Sequence, residues 1–199
     1  MALRDPDKTR LNLLQVAAHL FQKKGYNGTS LSDILKQAEV SKGALYHHFS
    51  NKQELLYAVV DELFRDLVFS RWGGVVHADE PIEAMASIVD NIAQSATEDD
   101  MCSGCPIHNL LAELSSTDEG LRLRVNSIFQ AHQQLVENAL NLAIERGQAK
   151  PELDSKRVSL FIMCSLNGMP QLVTSCQCRE LLSELTGALA DYIRSFKVN

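Results

Sequence analysis

Cysteine and histidine side chains recur at three-residue intervals near the middle of the chain, as Cys102, Cys105 and His108. Thiolate and imidazole groups are zinc ligands, so these residues, joined by Cys176 and Cys178, form one candidate metal site. A proline directly follows Cys105 and suits the first position of a helix, where exposed amide groups favour a reactive thiolate. Three interpretations stay open: a thiol sensor at Cys102 and Cys105, a metal site, and ordinary cysteines without a chemical role.

The stretch 29–52 holds a second set of polar residues, arranged around two predicted helices joined by a tight turn. Ser30 is placed to cap the first helix, with Asp33 at its third position, and apolar residues recur on one face until Ala38. Ser41 is placed to cap the second helix, Lys42–His48. This is the spacing of a helix-turn-helix motif.

The second of these helices is predicted to turn a small and polar surface outward. Leu45 and Phe49 are four residues apart and are expected to pack against the first helix. The outward residues are small near the N-terminus, which lets a backbone approach the base edges in the major groove, and polar further on. Tyr46 and His47 are expected to donate to phosphate oxygens. The predicted DNA contacts in this segment are Ser41, Lys42, Gly43, Ala44, Tyr46 and His47.

Further contacts to the DNA backbone are expected on either side of this helix. Thr29 precedes the motif, and Lys52 lies in the first turn of a helix that Asn51 is placed to cap, so both are predicted to hold phosphate groups. Lys8 and Arg10 open the first helix and have two interpretations, contact with the DNA backbone or a solvated helix start.

The charge of the chain is divided unevenly. The net formal charge is −6, yet residues 1–52 carry eight Lys or Arg against four Asp or Glu, a local +4, and the remainder carries eleven against twenty-one, or −10. A basic segment attached to an acidic body confines the attraction for phosphate to one end of the chain.

The hydrophobic periodicity predicts helices throughout and therefore an all-α fold. The first helix is expected to end at Gly25 and to have an apolar face formed by Leu11, Leu14, Ala18 and Phe21. A long helix is expected to end at Trp72, and further helices are expected to start at Pro81, Asp118 and Asp154. The last helix is expected from Leu181 to Phe196. Pro170 is expected to kink or break the penultimate helix. No segment alternates with period two for long enough to form a sheet.

Composition excludes several classes of protein. The chain has 199 residues, 45% hydrophobic and 22% charged, without an apolar run of about 18 residues or a signal-peptide pattern, so a cytoplasmic protein without a membrane partner is expected. Five cysteines, an odd number, leave at least one unpaired and favour reduced thiols over a disulfide framework. No nucleophile elbow, phosphate-binding loop or dinucleotide fingerprint is present, so neither an enzyme nor a cofactor is expected.

The segments G-Y-N-G-T-S-L-S-D-I and V-S-K-G-A-L-Y-H-H-F-S-N-K-Q-E-L carry a resemblance to a known family. From about Leu11 to Leu56 the chain is similar to the DNA-binding domain of TetR-family transcriptional regulators. The resemblance implies a homodimer that binds a double-stranded DNA operator, most simply as a repressor, and pairs through its last two helices. It also implies a DNA-binding domain at 1–52 and a regulatory and dimerisation domain at 53–199, with a connecting helix at about 53–71.

The resemblance further implies a pocket for a small-molecule inducer within the body of the regulatory domain. Apolar walls with a few polar groups are what such a site needs. The candidate pocket residues are Phe69, Trp72, Met85, His108, Asn109, Phe129, His132, Met163 and Asn167.

The segment G-C-P-I-H-N-L-L-A-E-L also resembles a segment of a TetR-like branch that includes electrophile-responsive repressors of reductase genes. That resemblance implies release from the operator by thiol modification at Cys102 or Cys105. The alternative function is a helical protein that binds metal or acts in redox chemistry through Cys102, Cys105 and His108.

Overall fold

The computed structural model describes residues 6–198, and these residues are almost entirely helical. Their helices, in chain order, are α1 Pro6–Lys24, α2 Leu31–Ala38, α3 Lys42–His48, α4 Lys52–Ala58, α5 Arg65–Trp72, α6 Pro81–Ser95, α7 Glu98–Ser103, α8 Pro106–Leu114, α9 Glu119–Glu145, α10 Ser155–Cys176 and α11 Arg179–Arg194. A π-helical segment, Val59–Phe64, joins α4 to α5, and one 3-10 turn, Val75–His77, follows α5. Within residues 6–198 the only β-type pairing is an isolated bridge between Ala149 and Lys197. The all-α prediction is confirmed.

The caps predicted for the helix-turn-helix segment are present. The Ser30 hydroxyl accepts from the Asp33 amide while the Asp33 carboxylate accepts from the Ser30 amide, and Glu39 ends α2 in a left-handed conformation. The Ser41 hydroxyl accepts from the amide of Ala44 at 3.2 Å and so caps α3. These local hydrogen bonds fix where each short helix begins, because they satisfy amides that have no partner within the helix.

The buried face of α1 differs from the predicted one. Leu14 and Phe21 are buried as expected, but Leu11 is 47% exposed, and Leu13 and Leu20 occupy the interior. Ala18 is only half-buried. The apolar residues of α1 are numerous enough to fit two overlapping stripes, and tertiary packing selects the second.

The helix after α3 extends to Trp72, as predicted, with two unpredicted features. The π-helical segment Val59–Phe64 interrupts its α-helical hydrogen bonding. At its start Asn51 caps the amide of Glu54, but the Glu54 carboxylate accepts from the amide and hydroxyl of Ser50, so the reciprocal bond of the capping box goes to the neighbouring residue.

Two features of the later helices were not predicted. The acidic stretch 98–100 is the first turn of a short helix, α7, because Thr97 and Asp100 form a capping box. Pro170 does not break α10, which continues from Ser155 to Cys176. The starts at Pro81, Asp118 and Asp154 are confirmed: Pro81 opens α6, the Asp118 carboxylate accepts from the Leu121 amide at 2.8 Å, and the Asp154 side chain accepts from Arg157.

The described residues form two compact units whose limits differ from the predicted boundary at residue 52. The first unit comprises the described residues up to Leu67 together with Pro106–Asn126, and the second comprises Val68–Cys105 and the residues from Ser127 on. The first unit takes in α8 because this helix packs against α1. The core of the second unit includes Trp72, Met85, Val136, Leu140 and Ile162. No helix within residues 6–198 is long and apolar enough to cross a membrane.

Candidate nucleic-acid interface

Helix α3 is anchored in the protein by its apolar side chains, and its other faces are accessible to solvent. Leu45 is completely buried and Phe49 is 2% exposed. Arg10 lies 5.3 Å from the centre of the Phe49 ring, and the Asn12 amide group donates to the carbonyl oxygen of Ala38 at the end of α2. Helix α1 therefore supports both helices of the motif and fixes the orientation of the outward face of α3.

The outward face of α3 carries most of the residues predicted to contact DNA. Ser41, Lys42, Gly43, Tyr46 and His47 are exposed, and Ala44 is half-buried. A methyl group added to Gly43 would meet only the Ser41 hydroxyl, at 4.0 Å, so this part of the surface is free of protein atoms. The ammonium group of Lys42 lies 5.8 Å from the centre of the Tyr46 ring, a cation–π arrangement within one side of the helix.

His47 and His48 stand next to each other at the end of α3, with ring centroids 5.0 Å apart. Partial burial lowers the pKa of His48, and the neighbouring positive charges of His47 and Arg10 lower it further. Lys42 adds a permanent positive charge to the exposed face of α3.

The structure gives Thr29 a different role from the predicted phosphate contact. Thr29 is 1% exposed, and its hydroxyl donates to the carbonyl oxygens of Gly25 at 2.8 Å and Leu20 at 3.2 Å. The side chain thus provides a donor, inside the protein, for carbonyl groups at the C-terminal end of α1. The prediction was wrong because the sequence does not show whether a threonine that precedes a helix cap points outward or inward.

Lys52 and Arg10 are likewise engaged within the protein. The Lys52 ammonium group donates to the carbonyl oxygens of Tyr26 and Thr29, both at 2.8 Å. Burial lowers the pKa of Lys52, and the nearby Glu113 carboxylate opposes that shift. Arg10 forms a bidentate pair with Glu62, at 2.5 and 2.6 Å. Both interpretations of Arg10, a contact with the DNA backbone and a solvated helix start, differ from this arrangement.

The nine predicted pocket residues are divided between the two units. His108 and Asn109 belong to the first unit, and the other seven belong to the second. Within the second unit Trp72, Met85, His132 and Met163 are buried. The rings of Trp72 and His132 lie 4.7 Å apart, and the His132 Nε2 atom is buried without a hydrogen-bond partner. Burial lowers the pKa of His132 to about 4, so the imidazole is neutral.

Cys102 and Cys105 lie in the segment where α7 ends and α8 begins. Cys102 is exposed in the last turn of α7, Gly104 ends that helix with a φ of 69°, and the half-buried Cys105 directly precedes α8. Cys105 therefore stands at a helix start, as predicted. Among residues 6–198, no three His, Cys, Asp or Glu side chains are grouped closely enough to hold a metal ion, so the metal-binding alternative at Cys102, Cys105 and His108 gains no support.

Several contacts of the first unit were not predicted. The Tyr57 hydroxyl donates to the Asp118 carboxylate at 2.6 Å, and Arg124 pairs with Asp61 at 2.9 Å. Burial raises the pKa of Asp118, but hydrogen bonds from Tyr57, Gln53 and backbone amides outweigh it and leave that pKa lowered. Each pair joins residues more than sixty positions apart, for which the sequence offers no periodic or local signal.

Two family models together cover most of the chain. Residues 13–59 match the model described as bacterial regulatory proteins of the tetR family. Residues 81–194, more than half of the chain, match the C-terminal domain of LmrA/YxaF-like transcriptional regulators.

Individual relatives and a solved structure agree with these models. An uncharacterised helix-turn-helix regulator from the lacX 3′ region of Lactococcus lactis is 31% identical over 134 residues, which are 67% of this chain and 68% of the relative. The uncharacterised regulator YxaF of Bacillus subtilis is 28% identical over 72% of this chain and 74% of its own length. The crystal structure of a TetR regulator from Chloroflexus aurantiacus superimposes with a TM-score of 0.82 at 28% identity and covers 98% of both chains. The chain therefore belongs to the TetR family of DNA-binding transcriptional regulators, and it is not an enzyme.

Proposed function

We propose that this protein is a homodimeric repressor that reads a two-fold symmetric operator with α3 and is released from it by an effector. The observation that carries the proposal is the outward face of α3, on which Lys42, Gly43, Tyr46 and His47 are exposed and no protein atom covers the glycine. A recognition helix needs such a face, because small residues near its N-terminus admit the backbone to the base edges.

Lys42, Gly43 and Ala44 are assigned to the major groove, and Ser41, Tyr46 and His47 to its edge. The hydroxyl of Tyr46 and the imidazole of His47 are donors suited to phosphate oxygens, which fix position on the duplex and carry no sequence information. Thr29 and Lys52 are not assigned to phosphate, because their polar groups are used within the protein.

The exposed apolar surface of α10 and α11 supports pairing of two copies through these helices. Leu160, Phe161 and Leu172 are 52%, 54% and 55% exposed on α10. Phe161 and Leu172 line a groove between the two helices, in which the Phe161 and Tyr192 rings lie 5.1 Å apart. A continuous apolar surface of this kind is what an obligate dimer buries. Two-fold symmetry then places two copies of α3 over two half-sites of the operator.

The effector site is assigned to the second unit, around Trp72 and His132. The interior there is apolar, and His132 adds a neutral imidazole whose Nε2 atom has no hydrogen-bond partner. An effector lowers DNA affinity only if it binds the non-binding arrangement more tightly than the binding one.

Modification of Cys102 or Cys105 is the second route of release that we propose. Cys102 is exposed and therefore accessible to an oxidant or electrophile, and Cys105 stands at the start of α8. Membership of the electrophile-responsive branch stays a prediction. A Cys105→Ser protein is expected to bind DNA like the wild type under reducing conditions and to keep that binding after treatment with diamide. A wild-type loss of binding in this variant would remove Cys105 from the mechanism.

The proposal is tested by selecting DNA from a random pool of duplexes with the wild-type protein and titrating the enriched duplex by fluorescence anisotropy. We expect enrichment of a two-fold symmetric site, bound at about 10⁻⁸ M or tighter at physiological salt. Tyr46→Ala is expected to weaken binding about equally on the enriched site and on single-base variants of it. Absence of any enriched sequence would contradict DNA recognition, and a loss confined to one base position would contradict the role given to Tyr46.

A further inference from the structure

The turn between α1 and α2 is held by a carboxylate from a distant part of the chain. Both oxygens of Glu113, in α8, accept backbone hydrogen bonds: the Tyr26 amide donates at 2.7 Å and the Asn27 amide at 2.6 Å. Hydrogen bonds to an ionised group are roughly twice as strong as those between neutral groups. One side chain of α8 thus binds two consecutive amides of the turn that leads into the helix-turn-helix motif.

The contact is close enough to constrain the residue before it. Gly25 has a φ of 72°, a left-handed conformation that favours glycine, and a Cβ atom at this position would lie 2.8 Å from the Glu113 carboxylate. The carboxylate therefore packs directly against the backbone of the turn, and any larger residue at position 25 would push it away.

The same turn is held on its carbonyl side by Lys52. The carbonyl oxygens of Tyr26 and Thr29 accept from the Lys52 ammonium group, while the amides of Tyr26 and Asn27 are bound by Glu113. The turn is consequently fixed between α8 and the first residue of α4. The residue after the turn, Ser30, caps α2, so the position of the turn sets where α2 begins, and α2 leads into α3.

We propose that Glu113 is a positioning residue for DNA binding, which sets the orientation of α3 by holding the α1–α2 turn against α8; this inference rests on the proposed function. Glu113 does not itself contact DNA, since its oxygens face the two amides. When the carboxylate is withdrawn, two amides lose their partner and the turn gains conformations in which α3 does not fit the major groove. A shift of α8 relative to this turn changes DNA affinity in the same way.

The experiment compares Glu113→Ala and Glu113→Gln with the wild type on the duplex enriched by the wild-type protein. Glutamine keeps the length of the side chain but has one acceptor oxygen, so it retains one of the two bonds. We expect DNA affinity to fall about tenfold for alanine and about threefold for glutamine. Glu119→Ala is the matched control, because Glu119 pairs with Arg122 of its own helix and is expected to bind DNA like the wild type.

The salt dependence of binding separates positioning from direct contact. Removal of a positive charge from the face that contacts DNA, as in Lys42→Ala, is expected to reduce the slope of log K against log[salt] by about one, because fewer counterions are then released from the DNA. Glu113→Ala is expected to keep the wild-type slope at lower affinity. Hydrogen exchange followed by mass spectrometry gives a second readout, and faster exchange is expected in peptides that contain residues 26–27.

Each outcome decides the proposal. Wild-type affinity in Glu113→Ala, with folding confirmed by circular dichroism, would overturn it, and so would an increase in affinity, which would mean that the carboxylate only repels DNA. Should the alanine variant fail to fold, the same criteria apply to the glutamine variant. If the wild-type protein enriches no DNA, the proposed function fails, whereas enrichment with equal binding by the variants rejects only the role of Glu113.

Discussion

The ammonium group of Lys52 lies 4.0 Å from the centre of the Tyr26 ring and donates a hydrogen bond to the carbonyl oxygen of the same residue. One side chain at the start of α4 therefore binds both the ring and the backbone of a residue in the α1–α2 turn. A lysine at this place in the sequence suggests a phosphate contact, but here its charge is used to hold the motif together.

Lys52→Met should lower the stability of the protein and leave the salt dependence of DNA binding unchanged. The loss of hydrogen bonds from a charged donor to Tyr26 and Thr29 is expected to cost about 1–3 kcal/mol of unfolding free energy, measured by urea denaturation. The salt slope of DNA binding should equal that of the wild type. A slope reduced by about one would show instead that Lys52 contacts a phosphate.

Gly43→Ala should lower the affinity for DNA without lowering the stability of the protein. The added methyl group meets only the Ser41 hydroxyl at 4.0 Å, and alanine favours a helix over glycine by about 0.5–1 kcal/mol, so the variant should be at least as stable as the wild type. The methyl group occupies space assigned to DNA, and anisotropy titration should show affinity lower by about 1–2 kcal/mol. Gly74→Ala, where an added Cβ meets no atom within 4 Å, is the control and should bind normally. Unchanged binding by Gly43→Ala would place α3 away from the bases.

Phe161→Glu should convert a dimer into monomers. The ring is 54% exposed on α10, and a carboxylate at this position in both copies would introduce buried like charges into the proposed interface. Light scattering after size-exclusion chromatography should give the mass of one chain, and affinity for the symmetric duplex should fall. Leu123→Glu, at a leucine of similar exposure, 51%, on α9, should remain dimeric. A dimeric Phe161→Glu protein would exclude this face as the interface.

The stability of the protein should depend on pH through His132. Burial lowers the pKa of this imidazole to about 4 in the folded chain, whereas in the unfolded chain it is about 6.5, so between these values the unfolded chain binds the extra proton. The contribution of His132 is therefore present above pH 6.5 and is lost as the pH falls toward 4. From pH 7.5 to pH 5 this loss amounts to about 2 kcal/mol.

His132→Phe should reduce the pH dependence of the unfolding free energy by that amount, in urea titrations at equal protein concentration. The exposed His77 provides the control, since His77→Gln should leave the pH dependence as in the wild type. An equal pH dependence in wild type and His132→Phe would mean that His132 is not buried as a neutral group.

The features predicted correctly from sequence are those decided within a few residues. The start of α3 follows from the Ser41 cap, and the end of α1 at Gly25 follows from a residue that adopts a positive φ. Such signals are local, because a cap bonds to an amide three positions away.

The features that were missed depend on partners far along the chain. Thr29 and Lys52 were assigned to DNA because nothing local shows that the carbonyl oxygens of the α1–α2 turn need donors. Glu113 accepts hydrogen bonds from amides 86 and 87 positions earlier in the chain, and the residues next to Glu113 in the sequence do not indicate this contact. The exposure of Leu11 has the same origin, since tertiary packing chose between two apolar faces of α1.

The most direct test of the central claim is a photochemical cross-link between the protein and its enriched duplex with 5-bromouracil in place of thymine. After irradiation and proteolysis, mass spectrometry identifies the peptides joined to DNA. We predict that the main cross-linked peptide contains residues 42–47 of α3, and that Lys42→Ala combined with Gly43→Ala reduces its yield. Cross-links confined to peptides outside α3 would contradict the assignment of this helix as the part of the protein that reads DNA.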